Sequence, residues 1–273
     1  MSRSPTQPTS HSGHRARKRF GQNFLTDPQV VADIVAAISP QQDDHLVEIG
    51  PGLGVLTEAL LPCVGAMDVV ELDRDIIPKL ERHCRGRGEL RIHQADALKF
   101  DFAALAGDGR ALRIVGNLPY NISTPLMFHL LSIHEHIKDM HFMLQKEVVD
   151  RLAATPGSKH YGRLGVMMQY HCAVEALLDV PPQAFSPAPK VNSAVVRLTP
   201  YVEPPVAVDD VAFLEQVVTQ AFSQRRKTLR NTLKPLLNAE QMQMLGIDPT
   251  CRAETLSLAE FARLANAVSS NEA

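Results

Sequence analysis

Short apolar segments recur through the middle of the chain about 20–25 residues apart, with helical patterns between them. Short strands that alternate with helices predict a mainly parallel sheet with both faces covered. Two later strand-like runs, 174–180 and 194–198, flank a proline-rich stretch and are compatible with an antiparallel pair at the sheet edge. The five earlier strands are expected at His45–Ile49, Met67–Leu72, Leu90–His93, Leu112–Val115 and Asp139–Leu144.

The helical segments in this part of the chain have recognisable starts. Asp27 followed by Pro28 predicts a helix start, because aspartate is a favoured N-cap and proline is tolerated in the first helical turn. Apolar residues over 30–38 then form a stripe along one face. Further helices are expected over 53–61 and 74–83, between the predicted strands.

The pattern changes after a segment with three prolines between residues 200 and 205. Only helical patterns remain beyond it, so we place a domain boundary near residue 202. The predicted organisation is a basic arm over 1–19, an α/β domain over 20–202 and an all-α domain over 203–273. The helices of the last domain are expected over Asp209–Phe222, Arg225–Leu237, Ala239–Leu245 and Leu258–Val268.

The charges are segregated although the formal net charge is only −2, with 28 basic and 30 acidic residues. Residues 1–20 and 224–234 each carry five Lys or Arg and no Asp or Glu, which leaves the rest of the chain acidic. Two concentrated basic segments favour a surface that binds a polyanion. A disordered tail and a solvated helix face are the alternative, and charge alone does not choose between them.

Composition argues against several classes of protein. No apolar run approaches the roughly 20 residues of a membrane span, and the first 20 residues contain no apolar stretch like that of a secretory signal. The four cysteines form no C-x-x-C pair, which argues against a zinc ribbon or a thioredoxin-type site. We therefore expect a cytoplasmic protein in a reducing compartment, without membrane association.

Candidate chemistry begins at a glycine-rich loop between the first predicted strand of the sheet and the following helix. Gly50, Gly52 and Gly54 allow backbone N–H groups to approach a ligand at the helix N-terminus. The spacing is G-x-G-x-G, whereas a dinucleotide fingerprint is G-x-G-x-x-G and would have its third glycine at Val55. A tight turn without a ligand is the alternative for this loop taken alone.

Carboxylates follow the next two predicted strands. Glu71, 19 residues after Gly52, is placed to accept hydrogen bonds from ribose hydroxyls. Asp96 follows the strand after that and is placed to accept a hydrogen bond from an adenine amino group, although a helix N-cap is its alternative role. Because parallel strands end at one edge of a sheet, these features together predict a ligand that contains adenosine but no demanding pyrophosphate.

A fourth feature is the corner Asn117-Leu118-Pro119-Tyr120. The Asn117 side chain carries one carbonyl, and Pro119 biases Leu118 towards an extended conformation that turns its main-chain carbonyl outward. Two acceptors then converge on one NH₂ group, and Tyr120 offers a face for a stacked base, worth about 1–3 kcal/mol. A polar turn with a buried tyrosine is the alternative.

Together these motifs resemble those of S-adenosylmethionine-dependent adenine-N6 methyltransferases, and more narrowly those of the bacterial small-subunit ribosomal RNA adenine dimethyltransferases. The resemblance implies a Rossmann-like class I methyltransferase with a seven-stranded, mainly parallel sheet and a small all-α C-terminal domain. It also implies that two adjacent adenosines in the loop of the 3′-terminal hairpin of 16S rRNA are each methylated twice. The matching stretches are 19–25, 48–57, 71–75, 116–125, 143–148, 161–164, 180–200 and 222–231.

The resemblance also assigns roles to single residues. Asn117 and Leu118 would hold the target amine, Tyr120 would stack on one face of the adenine, and Phe185 would cover the other face. For Phe185, a loop residue packed on the core is the alternative. No metal is needed. The residues implied for S-adenosylmethionine are Asn23, Leu25, Gly50, Gly52, Glu71, Asp96 and Asn117.

Phosphate contacts are expected from the basic segments. Arg226 and Arg230 are four residues apart on a predicted helix and would share one face. Outside the arm, the candidate RNA-binding residues are Arg163, Arg225, Arg226, Lys227 and Arg230.

The expected partner is 16S rRNA within the small (30S) ribosomal subunit or its precursor, and the expected state is a monomer. A NAD-dependent oxidoreductase is one alternative, against which the glycine spacing and the Asn-Leu-Pro-Tyr corner count. A 23S rRNA methyltransferase of the macrolide-resistance type is a second, against which the basic segment over 222–231 counts. A ribosome-assembly factor whose binding matters more than its catalysis is a third.

Overall fold

The computed structural model describes residues 23–119 and 121–272 of the chain. The central sheet has seven strands in the order β4-β3-β2-β5-β6-β9-β7, and a separate pair joins β1 to β8. The strands are β1 Phe24–Leu25, β2 His45–Ile49, β3 Ala66–Glu71, β4 Glu89–Gln94, β5 Leu112–Asn117, β6 Ile137–Gln145, β7 Cys172–Val180, β8 Phe185–Ser186 and β9 Ser193–Pro200.

Ten α-helices lie among the described residues, together with several short 3₁₀ turns. They are α1 Pro28–Ile38, α2 Val55–Val64, α3 Ile77–Cys84, α4 Ser123–Leu131, α5 Lys146–Leu152, α6 Arg163–His171, α7 Val211–Ala221, α8 Leu229–Thr232, α9 Ala239–Met244 and α10 Leu258–Glu272. Within the described ranges, no helix is both long enough and apolar enough to cross a bilayer.

The sheet topology confirms the prediction of a mainly parallel sheet with an antiparallel pair at its edge. Strands β2 to β6 pair in parallel with one another. Strand β9 runs antiparallel to both β6 and β7, which places β7 at one edge. Parallel strands are covered by helices on both faces, and β2 accordingly is buried at all five positions.

The alternation of side chains along each strand divides the apolar residues between two cores. On one face Val47, Ile114 and Phe142 pack with apolar residues of α4 and α5. On the other face Leu46 and Val115 pack with apolar residues of α1, α2 and α3. Helix α1 begins as expected, because Asp27 Oδ1 accepts from the N–H groups of residues 29 and 30 at 2.9 and 3.3 Å.

A third apolar core lies among the C-terminal helices. It is built mainly from α7 and α10, but Tyr161, Val166 and Tyr170 from the preceding α/β region also belong to it. The Tyr161 hydroxyl donates to the Leu256 carbonyl at 2.9 Å, within this core. The helical region therefore packs continuously onto α6, and the boundary near residue 202 stays a prediction.

The predicted helix over Arg225–Leu237 is wrong. Residues 222–228 form turns and bends, and the helix is the four-residue α8. The reason is tertiary: the N–H groups of Leu229 and Arg230 donate to the carbonyls of Cys251 and Pro249, both at 2.9 Å, instead of to carbonyls four residues earlier. Arg226 and Arg230 therefore do not share a helix face.

A buried aspartate, Asp68 of β3, bonds through its side chain to residues of β2 and β4. Asp68 is 2% exposed. Its carboxylate lies 2.9 Å from His45 Nε2, 2.7 Å from His93 Nε2 and 2.8 Å from Arg91 Nη2. Burial favours the neutral acid, but these hydrogen bonds outweigh it and hold the pKa of Asp68 well below its usual range.

Candidate active site

A cleft of about 310 Å³ opens where β2, β3, β4 and β5 end. The carboxyl edge of a parallel sheet is the usual ligand-binding edge of such folds. Leu118 lines the cleft, and so do all seven residues expected to bind the methyl donor: Asn23, Leu25, Gly50, Gly52, Glu71, Asp96 and Asn117.

The glycine-rich loop forms one wall of this cleft. Gly54 has φ 87°, in the left-handed region, and a Cβ there would lie 2.6 Å from a methyl of Leu80. At Gly52, with φ 56°, a Cβ would lie 3.3 Å from the Phe24 ring. Glycine is favoured at both positions because φ is positive, and the side chains of Leu80 in α3 and of Phe24 also crowd the loop.

Glu71 joins this loop to the end of β3. Its Oε2 accepts from Gly52 N at 3.2 Å and its Oε1 accepts from Asp73 N at 2.8 Å. Burial raises the pKa of Glu71, and the hydrogen bonds from backbone N–H groups oppose that effect. Each carboxylate oxygen has two lone pairs, so acceptor capacity remains for hydroxyl groups of a ligand.

Asp96 lies just after β4. Its Oδ1 accepts from Leu98 N at 3.0 Å, and its carbonyl accepts from Lys99 N at 2.9 Å. This turn resembles the N-cap alternative considered from sequence. Because Asp96 also lines the cleft, stabilising the turn and facing a ligand are compatible roles.

The corner after β5 brings three segments of chain together. Asn117 Nδ2 donates to the Asn23 carbonyl at 3.2 Å. Leu118 N donates to the Met143 carbonyl at 3.2 Å, and the Leu118 side chain is buried. Ile122 N donates to the Pro119 carbonyl at 3.1 Å, which closes the turn. Tyr120, expected to stack on a base, lies outside the described residues.

Three buried polar residues of the cleft were missed: Glu48, Asp73 and His141. Glu48, 2% exposed, accepts from Thr57 Oγ1 at 2.6 Å; burial raises its pKa to about 7, against the effect of that hydrogen bond and with a contribution from the charge of Glu71. His141, 3% exposed, has Nδ1 3.5 Å from Asp139 Oδ1. The available signal was a polar residue beside buried apolar ones, Glu48 between Val47 and Ile49 in β2 and His141 between Met140 and Phe142 in β6.

Phe185 is buried at 4% exposure and packs in the core on the α1 side of the sheet. It pairs with Leu25 across the β1–β8 ladder. The described residues that line the cleft do not include Phe185. This placement fits the alternative of a loop residue packed on the core, and its stacking role stays a prediction.

A second cavity, of about 550 Å³, is lined by Arg163, Arg225 and Lys227 from the expected RNA-binding set. Arg225 Nη2 donates to the Lys159 carbonyl at 3.0 Å, which ties the 222–227 turns to the segment before α6. Arg226 and Arg230 are exposed but do not line this cavity. Further side chains that sequence reasoning missed there are His160 and the cationic Arg151 and Lys159.

The basic arm over 1–19 lies outside the described residues. Arg163 pairs with Glu215 at 2.8 Å, so part of its charge is already compensated. The acids Glu147 and Glu254 also line the second cavity. The cationic character of the second cavity therefore rests mostly on Lys159, Arg225 and Lys227.

The strand order of the sheet is that of a Rossmann-like class I methyltransferase. The glycine-rich loop and the acids at the strand ends line its cleft, as in a methyltransferase that uses S-adenosylmethionine. Residues 13–270 match the family described as ribosomal RNA adenine dimethylase. The chain belongs to that family, which excludes the NAD-dependent oxidoreductase alternative.

Curated relatives agree with this assignment. A protein of Hahella chejuensis named ribosomal RNA small subunit methyltransferase A is 60% identical over 256 residues, 94% of each chain. A protein of Pseudomonas aeruginosa with the same name is 60% identical over 253 residues, 93% of this chain and 94% of its own.

Solved structures show the same fold. A dimethyladenosine transferase from Plasmodium falciparum has a TM-score of 0.75 at 26% identity, over 88% of this chain and 95% of its own. The 23S rRNA methyltransferase ErmE has a TM-score of 0.72 at 22% identity, over 90% of this chain and all of its own. At that identity ErmE shows the fold alone.

Proposed function

We propose that this enzyme transfers methyl groups to N6 of two adjacent adenosines in the loop of the 3′-terminal hairpin of 16S rRNA, two to each. The observation that carries the proposal is the convergence of the expected donor-binding residues and the Asn117 corner in one cleft. The names of the relatives in Hahella and Pseudomonas support the small subunit as the site of action. We further propose that the protein acts as a cytoplasmic monomer on the 30S subunit or its precursor.

We assign each part of the methyl donor to the cleft residues whose chemistry suits it. Asn23, Leu25 and Gly50 lie where β1 meets the glycine loop, and we assign them the amino-acid end. Glu71 receives the ribose hydroxyls, since its carboxylate is already fixed by two N–H groups. Asp96 receives the adenine amino group beyond the end of β4.

When bound, S-adenosylmethionine supplies a methyl group that is already electrophilic because it is attached to a sulfonium. The protein therefore needs to align and desolvate the amine rather than provide a strong base. The side-chain carbonyl of Asn117 and the main-chain carbonyl of Leu118 accept the two amine hydrogens. These bonds favour a pyramidal N6 whose lone pair points towards the methyl group, and the lost proton leaves through water.

The target base has to leave its stack to reach this corner. Tyr120 provides one stacking surface in this proposal and Phe185 the other, which requires Phe185 to move from its buried position in β8. In the second methyl transfer, the first methyl group has to occupy space that an amine hydrogen occupied before.

Phosphate contacts are assigned to the cationic side chains around the second cavity. Arg163, Arg225 and Lys227 line it, and the exposed Arg226 and Arg230 extend the basic surface beside it. Helix α5 starts where β6 ends, so the cavity and the cleft lie towards the same edge of the sheet. The affinity for RNA bound across both should therefore fall steeply as the salt concentration rises.

The deciding experiment is incubation of labelled donor with undermethylated small subunits, followed by mapping of the labelled nucleotides. The proposal expects label on N6 of two adjacent adenosines in the 3′-terminal loop. Label in 23S rRNA with none in 16S rRNA would contradict it and favour the macrolide-resistance alternative.

A strain that carries Asn117→Ala distinguishes the proposed enzyme from the assembly-factor alternative. If binding alone matters, subunits mature normally without methylation. If catalysis is needed as well, maturation is delayed although the variant still binds the subunit.

A further inference from the structure

A short segment, residues 23–26, lines the cleft through its first three residues and contacts the Asn117 corner. We call it the strap. Phe24 and Leu25 form β1 and pair with β8. The Phe24 ring lies against Gly52, since a Cβ there would be 3.3 Å from it. The strap thus covers the loop expected to hold the donor.

The strap also holds the side chain expected to recognise the target amine. Asn117 Nδ2 donates to the main-chain carbonyl of Asn23 at 3.2 Å. A main-chain carbonyl only accepts hydrogen bonds, so the NH₂ group of the Asn117 amide has to face the strap. Oδ1 diverges from Nδ2 at the same carbon and is therefore turned away from Asn23. This is the orientation in which Asn117 accepts hydrogen bonds from an incoming amine.

The strap is anchored from the opposite side by the segment over 184–186. Thr26 N donates to the Ala184 carbonyl at 2.8 Å, and Thr26 Oγ1 donates to the same carbonyl at 3.2 Å. Leu25 is buried at 7% exposure in the core on the α1 side. Residues far from the corner in sequence therefore fix the position of the Asn23 carbonyl.

We propose that the strap is a positioning element for methyl transfer: the Asn23 carbonyl fixes the Asn117 amide with Oδ1 available to the amine, and Thr26 secures the strap. The inference rests on the proposed function for the role of Asn117. It adds that donor binding and amine recognition are coupled, because Asn23 and Leu25 line the donor cleft while Asn23 orients Asn117. Such coupling is reciprocal.

The first test is Asn117→Asp, which keeps an acceptor for the amine but removes the NH₂ group and sets a carboxylate against the Asn23 carbonyl. We expect faster hydrogen–deuterium exchange in residues 24–26 and about tenfold weaker binding of S-adenosylmethionine by calorimetry. The matched control is Asn121→Asp, which introduces the same charge at the same corner, where residue 121 also lines the cleft.

The inference is overturned if Asn117→Asp leaves the exchange of the strap and the donor affinity unchanged, or if Asn121→Asp alters both equally. Neither readout needs RNA. Failure of the inference is therefore distinct from failure of the proposed function, which would appear as normal methylation by Asn117→Ala.

The second test is Thr26→Val, a nearly isosteric change that removes one anchoring bond and leaves the donor-facing residues in place. We expect the single-turnover rate on undermethylated subunits to fall about threefold and, because the strap also lines the donor cleft, donor affinity to fall about twofold. An unchanged rate, or a parallel loss of rate and of thermal stability, would contradict a positioning role for Thr26.

Discussion

The donor cleft and the basic surface around residues 222–230 differ in what fixes their geometry. The cleft residues Gly50, Glu71 and Asn117 lie at the ends of neighbouring parallel strands, whose ladders hold them in register. Arg225, Arg226 and Lys227 lie in turns and bends, and the backbone of Leu229 and Arg230 after them bonds to the segment over 249–251. Side chains at strand ends are placed by the sheet, which the local sequence pattern predicts. Side chains in turns are placed by contacts with distant segments, which the local pattern does not predict.

Asn117→Ala gives the largest expected effect and tests the cleft directly. The rate of methyl transfer should fall at least 100-fold, because the amine loses a fixed acceptor in the transition state, a loss of about 3 kcal/mol. Donor affinity should change by less than about threefold, because alanine removes the hydrogen bond to the Asn23 carbonyl but, unlike aspartate, sets no charge against that carbonyl. Single-turnover methylation and calorimetry measure the two effects, and a normal rate would refute the role of Asn117.

Glu71→Gln tests the ribose assignment. The variant weakens the bonds from Gly52 N and Asp73 N and removes a charged acceptor, so donor binding should weaken about 30-fold, or about 2 kcal/mol. Calorimetry with S-adenosylmethionine measures it. The control is Glu89→Gln on the exposed end of β4, which should bind the donor normally. Equal affinity in both variants would contradict the assignment.

Arg225→Ala combined with Lys227→Ala tests the basic surface. Affinity for undermethylated subunits should fall about tenfold. The dependence of that affinity on salt concentration should also become shallower, by the amount expected for the loss of about two phosphate contacts. Arg226→Ala combined with Arg230→Ala is the comparison, because these two residues do not line the cavity. If neither pair changes the salt slope, the surface is not an RNA interface. Donor binding should be normal in all of these variants.

Asp68 lies outside both regions, and Asp68→Asn should give the smallest effect, a change in the free energy of unfolding. The folded state depresses the pKa of Asp68, so its contribution to stability is present above its ordinary pKa and is lost as pH falls through the depressed value. The variant should unfold about 1 kcal/mol more easily at pH 7, and the difference should narrow below pH ~4. Urea unfolding across this range measures it; a constant difference would mean that the charge of Asp68 is not responsible.

The comparison between the two regions also explains which predictions succeeded. Strand β2 was predicted with the bounds found, and the α1 start at Asp27 and Pro28 was correct, because short apolar runs and capping residues are local signals. The helix expected over 225–237 failed because apolar spacing does not reveal that Leu229 and Arg230 bond to the 249–251 segment. Glu48 and His141 were missed because their proximity to the cleft depends on the register of β2 and β6.

The sequence by itself determined the sheet, the order of its parallel strands along the chain and the four chemical features at the strand ends. These depend on side-chain period, turn residues and motif spacing, which act over a few residues. Only the tertiary structure decided that β1 pairs with β8, that the Asn23 carbonyl meets Asn117, and that Phe185 is buried. Those contacts join segments separated by 94 residues or more, and packing rather than local preference selects them.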